Sequence, residues 1–148
     1  LNKQMTAEDF SRAAEKLVAA GIRLRTFILL RPPFLSEEEG VEWAMKSIEF
    51  AFEAGVSCCS VVPTRAGNGI MEQLESDGLF AAPQLSSVEI VQERGIQLNS
   101  GRVFMDTWDA QQFASCSQCA ERRIQRIADI NLSQRVAPRQ ACETCGSN

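Results

Sequence analysis

This sequence contains no histidine among its 148 residues. The side chain that most often moves protons near neutral pH is therefore missing, and with it every histidine-based triad or metal site. No P-loop and no GxGxxG dinucleotide fingerprint occurs. If the chain serves an enzyme, the hard chemistry falls to a cofactor or to residues outside it. No apolar run approaches the roughly 20 residues a membrane span needs, and the opening LNKQMT is polar, unlike a secretory signal. Positive charge is in deficit. The net charge of −4 and pI of 4.9 argue against unaided, non-specific nucleic-acid binding but leave room for a local basic patch. There is no low-complexity tract and no repeat beyond an alternating α/β pattern. The chain opens on Leu1 rather than Met and reads as a piece of something larger. Its length suits one domain with a moderate core. The six cysteines sit in a chain too long and regular for a secreted disulfide scaffold, so a cytoplasmic location with reduced thiols is expected.

What is present is organised around Phe27 to Gly69. Phe27 to Leu30 is a continuous apolar run, the pattern of a strand buried on both faces, and Arg31, Pro32 and Pro33 end it. Ser36 with Glu39 forms a capping box. Val41, Ala44, Met45, Ile48, Ala51 and Phe52 then recur at helical spacing up to Gly55. A second strand, Cys58 to Val62, ends at Pro63. This is a βαβ unit, and such crossovers join parallel strands. Upstream, Thr6 and Asp9 open a helix striped by Phe10, Ala13, Ala14, Leu17 and Val18, which feeds a strand from Leu24 to Leu30. Downstream come a short helix near Ile70 to Ser76, a helix opened by Ser86 and Glu89, and a strand from Arg102 to Asp106. Sites in parallel α/β folds lie at the carboxyl ends of strands. There the chain places Arg31, the PTRAGNG loop, and Asp106, Thr107, Trp108 and Asp109. Arginine forks suit carboxylates, and loop glycines admit close backbone approach.

The character changes after residue 110. Cys116 and Cys119 form one CxxC pair and Cys142 and Cys145 another, with a helix carrying Ile124, Ile127 and Ile130 between them. Two such pairs supply the four sulfurs of a closed tetrahedral zinc site, structural because it is full; an iron–sulfur cluster is the rival occupant. Cys58 and Cys59 read as packing residues. Arg122, Arg123, Arg126, Arg135 and Arg139 make the tail locally basic, either a solvated helix face or a patch against RNA phosphates.

LNKQMT, FILLRPPFLSEEEG, VVPTRAGNG and the CxxC tail together resemble the C-terminal portion of radical S-adenosylmethionine (radical SAM) proteins, in the branch that contains the archaeosine synthase radical SAM subunit. The resemblance implies a partial TIM barrel of parallel βα repeats over residues 1–110, followed by a helical Cys-rich tail over 111–148. In that family a CxxxCxxC loop binds a [4Fe–4S] cluster that reduces S-adenosylmethionine, and the resulting 5′-deoxyadenosyl radical abstracts a substrate hydrogen. No CxxxCxxC occurs in this sequence, so the resemblance implies a portion holding late strands without the cluster, inert by itself. It further implies that Arg31 lies near the S-adenosylmethionine carboxylate, that Pro63, Thr64, Arg65 and Asn68 lie near its adenosine, and that Asp106, Trp108 and Asp109 face substrate. The implied partners are the missing N-terminal barrel half and a tRNA or modified nucleoside, with no membrane. The competing expectation is a non-enzymatic, zinc-stabilised α/β module that binds RNA or a protein. Three strands leave a bare sheet edge, so a homo-oligomer is also expected.

Overall fold

The computed structural model describes residues 4–67 and 69–146. Two of its helices start by the same local device. The Thr6 hydroxyl accepts the Asp9 N–H at 3.1 Å while the Asp9 carboxylate accepts the Thr6 N–H at 3.0 Å. Ser36 and Glu39 repeat the exchange at 3.2 and 2.8 Å. Both capping boxes satisfy N–H groups that a helix otherwise leaves unpaired. Helices α1 (Ala7–Ala19) and α2 (Glu37–Glu53) follow from them, and the Phe10 and Phe50 rings meet at 5.8 Å.

Strands β1 (Arg25–Leu30), β2 (Cys58–Pro63) and β3 (Arg102–Met105) form one parallel sheet in the order β1-β2-β3. Arg25 pairs with Cys58 and Cys58 with Arg102, so the three strands start level. Between β2 and β3 lie α3 (Ile70–Ser76) and α4 (Leu85–Gln97). A 3₁₀ turn (Ala110–Phe113) and α5 (Ser117–Ser133) close the chain's regular structure. Ile28, Leu30, Cys59, Val61, Val103 and Met105 face α2 and α4 and pack on Ala44, Ile48, Val88 and Val91. Burial of that set supplies the main driving force, at about 25 cal/mol per Å² of apolar surface.

Two expectations are corrected. β1 is not buried on both faces: Phe27 is 70% exposed and Leu29 39%, because no layer covers the side of the sheet opposite α2 and α4 among the described residues. And Ser86 with Glu89 does not open a helix. α4 begins at Leu85 after Gln84, with no side-chain cap, and Glu89 lies buried inside it. The strand limits also move slightly, with Leu24 and Asp106 just outside β1 and β3.

The two sheet edges differ. Along β3, the Asn131 side-chain amide accepts from Met105 N–H at 2.9 Å and donates to Met105 C=O at 2.8 Å. Gln134 does the same to Val103, at 2.9 and 3.0 Å. Two carboxamides of α5 and its cap thus stand in for a neighbouring strand. Among the described residues β1 has no such cover, and an apolar groove beside it is lined by Phe10, Phe27, Leu29, Trp43 and Phe50.

Candidate functional site

The loops after β2 and β3 meet at the carboxyl edge. Thr64 continues the ladder: its N–H and its hydroxyl both donate to the Leu30 carbonyl, at 3.1 and 2.8 Å. Arg65 then turns across to the β3 loop. Its Nη1 donates to the Asp106 carboxylate at 3.0 Å and to the Pro63 carbonyl at 3.2 Å, and its Nη2 donates to the Trp108 carbonyl. The guanidinium lies between two rings, 5.3 Å from the Trp108 centroid and 5.2 Å from that of Phe113, and Nε is buried without an acceptor among the described residues. Asp106 also accepts the Trp108 N–H at 3.0 Å. Asp109 sits in the left-handed region at φ 48° and accepts from the Gln112 side chain at 2.9 Å. Pro63, Thr64, Arg65, Asp106 and Trp108 are therefore brought into one cluster, in which Trp108 presents its ring to solvent at 72% exposure.

Arg31 has a separate set of partners. Its Nη1 donates to Glu37 at 2.5 Å and to the Ala82 carbonyl at 2.8 Å. Glu37 in turn accepts the Gln84 N–H at 2.9 Å, so Arg31 and Glu37 staple the start of α2 to the start of α4. The contact is close. A Cβ on Gly40 would lie 2.7 Å from the Arg31 Cβ, which is why a helix interior here carries glycine. Asn68 lies outside the described residues. Glu37 and Phe113, the groups that fix the two arginines, carry no local sequence signature.

The tail forms a second site. Cys116, Cys119 and Cys142 make their own buried cluster beside the more exposed Cys145, and the four Sγ atoms lie within 4.8 Å of one another. A tetrahedral zinc with bonds of about 2.3 Å sets sulfurs roughly 3.8 Å apart, and Cys119 and Cys145 Sγ are 3.8 Å apart. A disulfide would need about 2.05 Å. Backbone N–H groups of Cys145 and Thr144 hold the Cys142 thiol below its ordinary value, favouring the thiolate that a metal needs. This four-cysteine group can hold a metal ion such as zinc. An iron–sulfur cluster spreads its cysteines over separate irons, and so tight a group suits a single ion better.

Arg123, Arg126 and Arg139 are neither a solvated face nor open to phosphates, whereas Arg122 and Arg135 are exposed. Arg123 forms a two-point pair with Glu89, at 2.7 and 3.3 Å. Arg126 and Arg139 share Glu93, at 2.8 and 2.9 Å. Arg126 further donates to the Ala137 and Pro138 carbonyls and Arg122 to that of Ala141. These bonds lay residues 137–141 back along α5 and deliver Cys142 to Cys119. Burial raises the Glu93 pKa, but hydrogen bonds from Arg139 and Arg126 outweigh it and leave the net shift downward.

The described residues thus form a parallel α/β sheet with a polar carboxyl edge, followed by a four-thiol tail. Parts of the chain are similar to curated proteins. Over 48 residues the chain is 50% identical to archaeosine synthase subunit beta of Thermococcus kodakarensis, a match covering 32% of this chain and 15% of that protein. It is 31% identical over 98 residues to archaeosine synthase subunit beta of Methanosarcina acetivorans, covering 63% of this chain and 27% of the relative. An uncharacterised protein of Methanocaldococcus jannaschii is 30% identical over 95 residues, covering 63% and 26%. The matched stretch thus spans about a quarter or less of these relatives. No protein-family model and no solved structure matches the chain. No helix of the described residues is long and apolar enough to cross a membrane.

Proposed function

We propose that this chain forms the late-strand portion of a radical SAM enzyme that modifies a nucleoside in tRNA, within a partial TIM-like barrel whose earlier strands pair with β1. Similarity to two archaeosine synthase beta subunits carries this reading. The edges agree with it: β3 is capped by Asn131 and Gln134 while β1 lies open beside an apolar groove. The [4Fe–4S] cluster does not belong to this chain, because no CxxxCxxC is present and the four-cysteine tail suits one ion. Arg31, Thr64 and Arg65 each hold partners within the chain, while Arg65 Nε keeps a donor without an acceptor among the described residues. Their role is to position. Arg31 fixes the edge of the first strand, and Arg65 fixes Asp106 and aims the Trp108 ring, which with Asp109 is left to meet a nucleoside. The tail metal is structural, pinning residues 134–146 to α5.

The test uses the full-length gene product, reconstituted anaerobically with iron and sulfide and given a reductant. Formation of 5′-deoxyadenosine, with modification of the tRNA lost in Arg65→Ala while cluster content is unchanged, is the expected outcome. No 5′-deoxyadenosine from a cluster-loaded protein sinks the radical reading and leaves the zinc-stabilised binding module.

A further inference from the structure

Five arginines of this fold are held by buried or half-buried carboxylates: Arg31 by Glu37, Arg65 by Asp106, Arg123 by Glu89, Arg126 and Arg139 by Glu93. Arg25 and Arg102 are the contrast. Neither has an ion pair among the described residues, although they start β1 and β3 level with each other on the uncovered side of the sheet. Arg25 reaches over β2, donating from Nε to the Ser60 hydroxyl at 2.7 Å. Its guanidinium lies 5.5 Å from the Phe27 ring and 5.6 Å from that of Phe104, and the Arg102 guanidinium lies 5.0 Å from the same Phe104 ring. Two cations share one aromatic ring. The loops at this end, residues 21–24, 54–57 and 98–101, contain no carboxylate, and the first of them carries exposed Arg23, also without an ion pair among the described residues. In a protein of net charge −4, this row is a local excess of positive charge that no described carboxylate answers.

Above the cationic row, in register, comes Phe27, Ser60 and Phe104, then Leu29 and Val62. Phe27 is an exposed flat ring next to a guanidinium. Forked cations suit phosphate oxygens, and exposed aromatics on a sheet suit unstacked bases. Ser60 is buried, and its hydroxyl accepts from Arg25 and so holds that guanidinium over β2. An apolar protein layer laid here would strand both guanidiniums away from water, at a cost of several kcal/mol per ion. We infer that this uncovered sheet face binds single-stranded RNA, with phosphates held at Arg25 and Arg102 and a base stacked on Phe27. The inference rests on the reading above in one respect, that the substrate is an RNA nucleoside; it adds the surface that holds the strand.

The test is fluorescence anisotropy of a short end-labelled single-stranded RNA with the full-length gene product, between about 50 and about 200 mM salt. The expected result is that Arg25→Met with Arg102→Met weakens binding about ten-fold and flattens the log–log salt slope by roughly 1.4, at about 0.7 for each phosphate no longer neutralised. Phe27→Ala should weaken binding about ten-fold through the absence of stacking and leave the slope alone. Arg25→Lys with Arg102→Lys, which keeps both charges, should keep the slope and guards against misfolding of the Met pair. Unchanged affinity and slope in the Met pair overturns the assignment while leaving an RNA substrate standing. No RNA binding by the unsubstituted gene product overturns both. A dimer in solution that the Met pair dissociates would show that a second copy covers this face, and that also refutes it.

Discussion

The Glu89–Arg123 pair offers a direct measure of how the tail is held. The Glu89 side chain is 3% exposed and that of Arg123 13%, with nitrogen–oxygen contacts of 2.7 and 3.3 Å. Arg123→Met keeps most of the side-chain stem but leaves a carboxylate in the interior, with Arg126 at 3.8 Å as its nearest remaining cation. Breaking one side of a buried pair costs about 3–5 kcal/mol. Arg126 offsets part of that, so about 3 kcal/mol is expected, or a midpoint lower by roughly 6–12 °C for a chain of this size. Adding Glu89→Leu removes the stranded charge, and the double variant should regain most of the loss, because apolar replacement of both partners is often neutral. The assay is urea unfolding followed by the fluorescence of Trp43 and Trp108, with metal content measured alongside. Arg123 also interacts with Cys119, so unchanged metal content in the single variant separates loss of the pair from loss of the tail site. A single-variant cost under about 1 kcal/mol, or strictly additive effects in the cycle, would refute the claim that this pair is buried and coupled.

Three further outcomes are expected. The purified chain should carry about one zinc and no sulfide, and Cys142→Ser should lose it and expose residues 134–146 to proteolysis, while the sheet stays folded; sulfide with iron would refute the single-ion geometry. Gly40→Ala, which in an open helix stabilises by about 1 kcal/mol, should instead destabilise, because the new Cβ meets Arg31 at 2.7 Å; a rise in unfolding midpoint contradicts this. Because the Glu93 pKa is depressed, its contribution is present at neutral pH and is lost as pH falls through the lowered folded value. The stability gap between wild type and Glu93→Gln should therefore close on acidification, and a gap equal at pH 7 and pH 3 rules that out.

Much of this architecture could be read from local pattern. The Thr6–Asp9 and Ser36–Glu39 boxes form as their spacing implies, and the strands end where proline or polar residues intervene. Each CxxC pair is a local turn legible from its spacing, whereas the meeting of the two pairs depends on the arginine bonds that lay residues 137–141 along α5. Ser86 and Glu89 show the limit. Their spacing matches the other two boxes, yet Glu89 is turned inward to meet an arginine 34 residues away, a choice made by tertiary packing. The same holds for the tail arginines, whose carboxylates lie on α4 across a sequence gap that no window covers. Phe27 and Leu29 read as core because an apolar run states that a face is fit to be covered and does not state what covers it. The cluster of Arg65, Asp106 and Trp108 was legible only as separate polar strand ends; their mutual pairing needed the fold.

The side-chain amides of Asn131 and Gln134 give the sheet a direction of growth. Because they consume the donors and acceptors of Val103 and Met105, a further strand can be recruited beside β1 but finds no free partner beside β3. A ring of strands has no end, whereas this arrangement has a built stop. Among the described residues the sheet can therefore lengthen only sideways past β1, and its β3 side is finished by side chains instead of by another strand.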